Sequence, residues 1–209
     1  MRRVVSALAV LALVMVTPTG VLAQDLAAMC ENFATPADGH WAEYSAQADG
    51  RDAVILFAIL SAGDADGKVL ELTLSEVGGQ SMIMQVSVPS YPFETSDITR
   101  VVMKAPGQPA MVLPAHLAQM SEMTLPVPSD EDCLQAEFLG MEDVEVAGTT
   151  YETFHIRPAD QANTEVWVTT EIPFAIVRAE ADQGVMQLLE HGVGAVSSIN
   201  ETPITIPGM

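Results

Sequence analysis

The sequence predicts a mainly β fold, a strongly curved antiparallel meander sheet with one or two short covering helices. Apolar and polar residues alternate along many short segments, as they do in half-buried strands. Turn-forming residues separate these segments, and nothing between them is long enough for the crossovers that a parallel sheet needs. About ten strands in series with one apolar face fit a half-barrel whose inner face is shielded by the helices.

The first 23 residues have the features of a secretory signal peptide. Arg2 and Arg3 are followed by an apolar stretch from Val4 to Val16 and by a small-residue cleavage site at Ala23. The apolar stretch is shorter than the roughly 20 residues that span a bilayer. We therefore expect residues 24–209 to form a single β-rich domain, periplasmic or secreted, without a transmembrane segment.

The chain is strongly acidic, with 28 Asp and Glu against 8 Lys and Arg and a formal net charge of −20. Such a surface repels phosphate backbones and anionic membranes, which excludes nucleic acid as a partner. An acidic, solvated surface also keeps an exported protein soluble. The sequence identifies no protein partner.

The two cysteines, Cys30 and Cys133, are predicted to form a disulfide because exported compartments are oxidising. Acylation of Cys30 is the alternative that we considered. It is disfavoured because Met29, which precedes the cysteine, is not a small residue.

The elements follow in order along the chain. Leu26, Met29, Cys30 and Phe33 have helical spacing, which predicts a short helix over residues 24–34. Alternation with period two then predicts strands around residues 69–75 and 81–88. Further strands are predicted over residues 40–47, 53–61, 98–104, 142–147, 150–157, 164–170, 174–181 and 185–191.

Residues 106–132 break this rhythm with five prolines. The segment is apolar but too interrupted by proline for a strand or a long helix, although residues 115–123 would fit a helical turn or two. We expect it to pack as a lid over the apolar face of the sheet.

No constellation of catalytic residues is visible, so the sequence does not support an enzyme, a cofactor or a metal site. The four histidines, His40, His116, His155 and His191, have no metal-binding spacing, and a zinc site would require convergence in the fold. In its strand His155 shares a face with Thr153 and Arg157, which predicts a solvent-facing position.

The apolar strand faces are rich in methionine, a flexible side chain that suits ligands of variable shape such as acyl chains. The predicted ligand-binding residues are Leu70, Leu72, Leu74, Met82, Met84, Val86, Val166 and Val168. Two alternatives stay open. These residues could form an ordinary methionine-rich core, or thioether groups could bind Cu(I), for which Met120 and Met123 are the only clustered pair.

Residues 146–156 and 164–178 resemble the strand rhythm of exported bacterial proteins related to the outer-membrane lipoprotein carriers LolA and LolB. In those proteins a hairpin ends on a V-x-V-[ST]-x-x-x-P strand, as in Val166 to Pro173 here. The resemblance covers about residues 142–193 and implies a half-barrel with an apolar groove for lipid or an acyl chain. No lipoprotein-binding residue of the carriers matches a motif of this chain.

Two hypotheses follow. The first is an exported, carrier-like protein that binds a hydrophobic ligand such as a lipid or acyl chain in a concave groove. The second is a non-catalytic structural or interaction domain of the cell envelope with a packed core. A contiguous internal cavity of several hundred Å³ would favour the carrier, and a close-packed interior would favour the structural domain.

Overall fold

The computed structural model describes eight stretches of the chain. They are residues 27–33, 35–48, 50–62, 67–76, 79–91, 93–114, 130–159 and 161–205. In these stretches the fold is mainly β, with twelve strands in one unclosed, curved sheet and two short helices. The predicted fold class is confirmed. The predicted signal peptide, residues 1–23, lies outside the described residues.

Short turns connect most of the elements. Helix α1 covers residues 27–31 and helix α2 covers Asp130–Gln135, while Thr95–Asp97 form a 3-10 turn. The strands are β1 (Trp41–Ala48), β2 (Arg51–Ser61), β3 (Lys68–Glu76), β4 (Ser81–Val88), β5 (Arg100–Lys104), β6 (Met111–Leu113), β7 (Glu137–Val146), β8 (Thr149–Arg157), β9 (Thr164–Val168), β10 (Ile176–Ala181), β11 (Gly184–Gly192) and β12 (Ile204–Thr205).

The sheet consists of two antiparallel meanders that meet at β1. Its order is β12-β6-β5-β4-β3-β2-β1-β11-β10-β9-β8-β7. Strands β1–β6 form one wing and β7–β11 form the other, and β1 pairs with β11 along its whole length. Only the two-residue strand β12 pairs in parallel, with β6, among the described strands. The predicted meander is therefore correct within each wing.

The strand register assigns the residues to two faces, because residues directly opposite each other in an antiparallel pair point to the same side. Followed from β6 to β8, these pairs trace one continuous surface, which we call the apolar face. In sheet order it includes Leu113, Val101, Val86, Leu70, Ile59, Tyr44, Leu188, Ala179, Val166 and Ile156.

The predicted disulfide between Cys30 and Cys133 is present, with the two Cα atoms 5.8 Å apart. It joins α1 to α2. Both cysteines are buried and belong to the same core cluster as Leu70, Ile59 and Val168 of the apolar face. Both short helices therefore contribute to the main core, although their cysteines are 103 residues apart in sequence.

The C-terminal segment, residues 193–205, crosses the opposite face of the first wing. Its attachment centres on Glu71, which is only 1% exposed. The Glu71 carboxylate accepts hydrogen bonds from Gln85 Nε2 at 2.7 Å and from the backbone N–H of Ser198 at 3.1 Å. Nearby, Ile199 packs with Val102 in a small apolar cluster.

Three strands differ most from the sequence predictions, while most other strand ends differ by no more than two residues. Strand β6 lies inside the proline-rich segment that was expected to contain no strand, because Met111–Leu113 is a proline-free triplet that can pair with β5. Strand β12 was not predicted. Strand β7 begins five residues early, at Glu137, and a bulge near Gly140 interrupts its alternation. Residues 115–129, most of the expected lid, lie outside the described residues.

Candidate ligand-binding face

The register places all eight predicted ligand-binding residues on the apolar face, six on the β3–β4 pair and two on β9. Those that are buried are Leu70, Met84, Val86 and Val168, and those that are half-buried are Leu72, Leu74 and Val166. Met82 is 42% exposed, and it lies at the start of β4 beside the turn from β3. The eight residues therefore lie on the same face of the sheet, but they differ in how deeply they are buried.

These residues contribute to two packed clusters. Leu70 and Val168 belong to the main core cluster, against which Val166 packs. Met84 and Val86 belong to a second cluster under β4 and β5, and the half-buried Leu72 packs against both. Ligand binding by these residues stays a prediction.

Five rings form an aromatic cluster in the core of this face. It consists of Tyr44, Phe57, Tyr91, Phe93 and Phe174, from β1, β2, the segment after β4, and the loop before β10. Successive ring centroids lie 5.7 Å apart for Tyr44 and Phe57, 5.8 Å for Phe57 and Phe174, 6.1 Å for Phe174 and Tyr91, and 6.2 Å for Tyr91 and Phe93. The cluster leads from the fully buried Tyr44 to the half-buried Tyr91 and Phe93.

Tyr44 carries a polar group into this apolar environment. Its side chain is 1% exposed, and its hydroxyl has no hydrogen-bond partner among the described residues. Burial, and to a smaller degree the neighbouring Tyr91, raises the pKa of the Tyr44 hydroxyl. Burial also raises the pKa of Tyr91. Both phenols are therefore neutral at physiological pH and can donate a hydrogen bond.

The loop before β10 holds Phe174 in place through an unusual backbone. Phe174 and Ala175 have φ angles of 65° and 59°, in the left-handed region that non-glycine residues rarely adopt. Hydrogen bonds from Thr169 N–H to Ala175 O and from Ile176 N–H to Phe174 O close the loop. Strained conformations of this kind persist where the surrounding packing imposes them.

Sequence reasoning missed the aromatic cluster. The alternation of Ala42, Tyr44 and Ala46 along β1 was the one available signal, since it places Tyr44 on the same face as its two small neighbours. The other rings come from distant segments, and their convergence depends on the sheet order.

A polar cluster around His155 occupies the opposite face of the second wing. His155 Nδ1 lies 3.1 Å from Glu142 Oε1, and His155 Nε2 lies 3.0 Å from Glu165 Oε2. The imidazole stacks on Trp167 with 4.2 Å between ring centroids. The predicted face is correct, but the solvent-facing position is wrong. His155 is only 9% exposed because the Trp167 ring on the neighbouring strand covers it.

Hydrogen bonds to the two carboxylates lower their pKa values. The indole N–H of Trp167, 2.8 Å from Glu142 Oε2, is the main cause for Glu142. Arg157, 2.7 Å from Glu165 Oε1, is the main cause for Glu165.

The two nitrogens of His155 are directed at different carboxylates rather than towards one point. Among the described residues no three acidic, histidine or cysteine side chains could hold a metal ion together.

An open pocket of about 400 Å³ lies on the opposite face of the first wing. Its lining includes Val69 of β3, Gln85 of β4 and residues 195–197 of the C-terminal segment. It is not the cavity that the carrier hypothesis expected, because it lies on the side of the sheet away from the apolar face.

Comparisons with known proteins identify the fold. No family model matches the chain, and no curated protein matches its sequence. A crystal structure of MucB is similar at a TM-score of 0.50 and 11% sequence identity, covering 87% of this chain and 62% of that one. A crystal structure of a DUF1329 family protein from Desulfovibrio piger matches at a TM-score of 0.34 and 14% identity, covering 80% and 75%.

The similarity to MucB concerns the fold alone, and this chain spans less than two thirds of the MucB chain. MucB has a LolA-like fold, so the resemblance to the lipoprotein carriers is supported at the level of fold. No helix among the described residues is both long and apolar enough to cross a membrane.

Proposed function

We propose that this protein is an exported, non-catalytic carrier that binds a hydrophobic ligand, a lipid or an acyl chain, on the apolar face of its unclosed sheet. The observation that carries the proposal is the continuity of this face through both wings, from Leu113 to Ile156, on a sheet that no strand closes among those described. An unclosed sheet of this kind can admit a long, flexible ligand between its wings without breaking strand pairing.

Three further observations support the proposal. The predicted leader and the disulfide between Cys30 and Cys133 fit an oxidising, exported location. Leu72, Leu74 and Val166 are half-buried, so part of the apolar face is open to a ligand. The LolA-like fold favours a groove on this side of the sheet.

A structural or interaction domain with a packed core is the second candidate. The close packing of Leu70, Met84, Val86 and Val168 favours it, because each is already surrounded by core residues. The two candidates differ in whether the face can open.

Native mass spectrometry of the full chain, expressed with its leader in an exporting bacterium, tests the proposal. We expect a bound lipid mass, and a saturable fluorescence increase when the delipidated protein is titrated with a fluorescent fatty acid. The variant Leu74→Ser should weaken probe binding, because Leu74 lies half-buried on the apolar face. The matched control is Val185→Ser, which changes an exposed apolar residue on the opposite face. Recovery of no lipid together with no fluorescence increase would favour the packed domain.

A further inference from the structure

The hydroxyl of Tyr44 is a buried polar group without a hydrogen-bond partner among the described residues, and Tyr44 itself is only 1% exposed. Buried polar groups in native proteins nearly always have a hydrogen-bond partner, and an exception requires a physical reason. Tyr44 lies on β1, the strand at the centre of the sheet, and its hydroxyl is fully buried without a partner. A phenylalanine at this position would keep the ring contact with Phe57 and avoid the cost of desolvating the hydroxyl.

Chemistry limits what could satisfy this hydroxyl. Tyr44 is a neutral phenol, and burial raises its pKa further, so its O–H keeps a proton that it can donate in one hydrogen bond. Its surroundings are the apolar side chains of the main core cluster, Phe57 foremost. A suitable ligand therefore has an apolar body and an oxygen acceptor at one end.

We propose that Tyr44 is the anchor for the polar end of the ligand, and that its hydroxyl donates a hydrogen bond to the carbonyl oxygen of an acyl chain. This inference rests on the proposed function. An acyl ester offers its carbonyl oxygen and a free fatty acid offers a carboxyl oxygen, and each can accept the hydrogen bond of a neutral donor. The chain of the ligand then follows the apolar face of the first wing, past Leu74 and Met82.

The aromatic cluster supplies the route to Tyr44. Tyr91 and Phe93 form its half-buried end, and Phe174 lies between Tyr91 and Phe57. Access to the buried donor requires Phe174 and Phe57, which are both 4% exposed, to rotate together with the half-buried rings, and side-chain rotation of this kind leaves strand pairing intact.

The experiment compares Tyr44→Phe with the wild type in displacement of a bound fluorescent fatty acid. The competitors are palmitic acid, methyl palmitate and hexadecane, which separate the acid, the ester and a chain without an acceptor. Loss of one neutral hydrogen bond should weaken palmitic acid and methyl palmitate by about three- to tenfold. Hexadecane should bind both proteins equally.

Tyr151→Phe is the matched control. Tyr151 is also a buried tyrosine, but its hydroxyl is 3.2 Å from His191 Nε2. This variant should keep wild-type affinity for all three competitors and lose some thermal stability. Tyr44→Phe should melt at or above the wild-type temperature, because no existing hydrogen bond is lost.

The outcomes distinguish the anchor role of Tyr44 from the carrier function of the protein. Equal affinities of Tyr44→Phe and the wild type for palmitic acid and its ester would overturn the anchor while leaving the carrier intact. A lower melting temperature for Tyr44→Phe would also overturn it, because the hydroxyl would then have a structural partner. Failure of the wild type to bind any fatty-acid probe would overturn the carrier function and the anchor with it.

Discussion

Glu71 is a buried carboxylate whose hydrogen bonds connect the sheet to the C-terminal segment. Its partners are Gln85 on the neighbouring strand and the backbone of Ser198, 127 residues away in sequence. Gln85 also donates a hydrogen bond to Ser197 Oγ at 2.7 Å, so two adjacent strands contact the same short stretch. Glu71 therefore differs from the exposed acids of this chain, because its carboxylate attaches the C-terminal segment to the sheet.

We expect Glu71→Ala to destabilise the protein by about 1–3 kcal/mol, because the Gln85 side-chain amide and the Ser198 N–H both lose the carboxylate that accepts their hydrogen bonds. Urea unfolding measures the difference. The control is Glu76→Ala at the exposed end of the same strand, which should change stability by less than about 0.5 kcal/mol. Equal effects of the two substitutions would argue that the C-terminal segment is not held through Glu71.

Glu165 provides a pH-dependent contribution to stability. Its hydrogen bond to Arg157 holds the folded-state pKa below the ordinary value of 4.5. A lowered folded-state pKa stabilises the protein above the unfolded pKa, and this stabilisation is lost as the pH falls through the folded value. His155 also faces Glu165 and acts in the same direction.

Glu165→Gln should therefore melt below the wild type at pH 7, and the difference should shrink as the pH is lowered from about 5 towards 3. Thermal melts across this range measure it. Glu190→Gln, at an exposed position on β11, serves as the control and should follow the wild-type curve. A difference for Glu165→Gln that stays constant with pH would contradict the assigned role of the carboxylate charge.

At the scale of elements, the disulfide fixes the position of two helices that are too short to be stable alone. Helix α1 and helix α2 are linked by Cys30 and Cys133, which are 103 residues apart in sequence. In the chain-entropy model a closed loop of this length stabilises the fold by roughly 4–5 kcal/mol. The bond therefore accounts for a large share of the stability expected of a single domain.

We expect Cys133→Ser to lower the melting temperature by several degrees or more. The double variant Cys30→Ser/Cys133→Ser should melt at about the same temperature, since both proteins lack the same single bond. Thiol titration of the unfolded, unreduced wild type should detect no free sulfhydryl. Two reactive thiols per chain would refute the bond.

The strands with regular alternation could be predicted closely from the sequence. The predicted strand at residues 81–88 has the observed bounds of β4, and β3 extends the predicted range by one residue at each end. Strands β6 and β12 could not be predicted, because segments of three and two residues contain no measurable period and depend on their pairing partners. The bulge near Gly140 also interrupts the alternation, so the first half of β7 could not be predicted as a strand.

At the scale of the whole molecule, the sequence predicted which side of each strand is apolar but not which side chains converge. All eight candidate residues share a face because period-two alternation is a local property. The aromatic cluster joins rings from separate strands and loops, and His155 stacks on Trp167 of the neighbouring strand. These contacts depend on the order of the strands in the sheet, which no single segment of the sequence determines. The candidate face was therefore predictable, and the position that we propose as its polar anchor was not.

The pairing of β1 with β11 has a consequence for the time at which the fold can be completed. On the proposed export, the chain enters the oxidising compartment from its N-terminus, so the first wing can assemble on β1 before the second wing has arrived. One edge of β1, from Trp41 to Ala48, then stays unpaired until Gly192 has been translocated. Cys133 arrives well before that residue, so the disulfide between the helices can form before the wings join. The central edge of the arriving chain is thus open during most of its export, and a chaperone that covers this edge would limit mispairing.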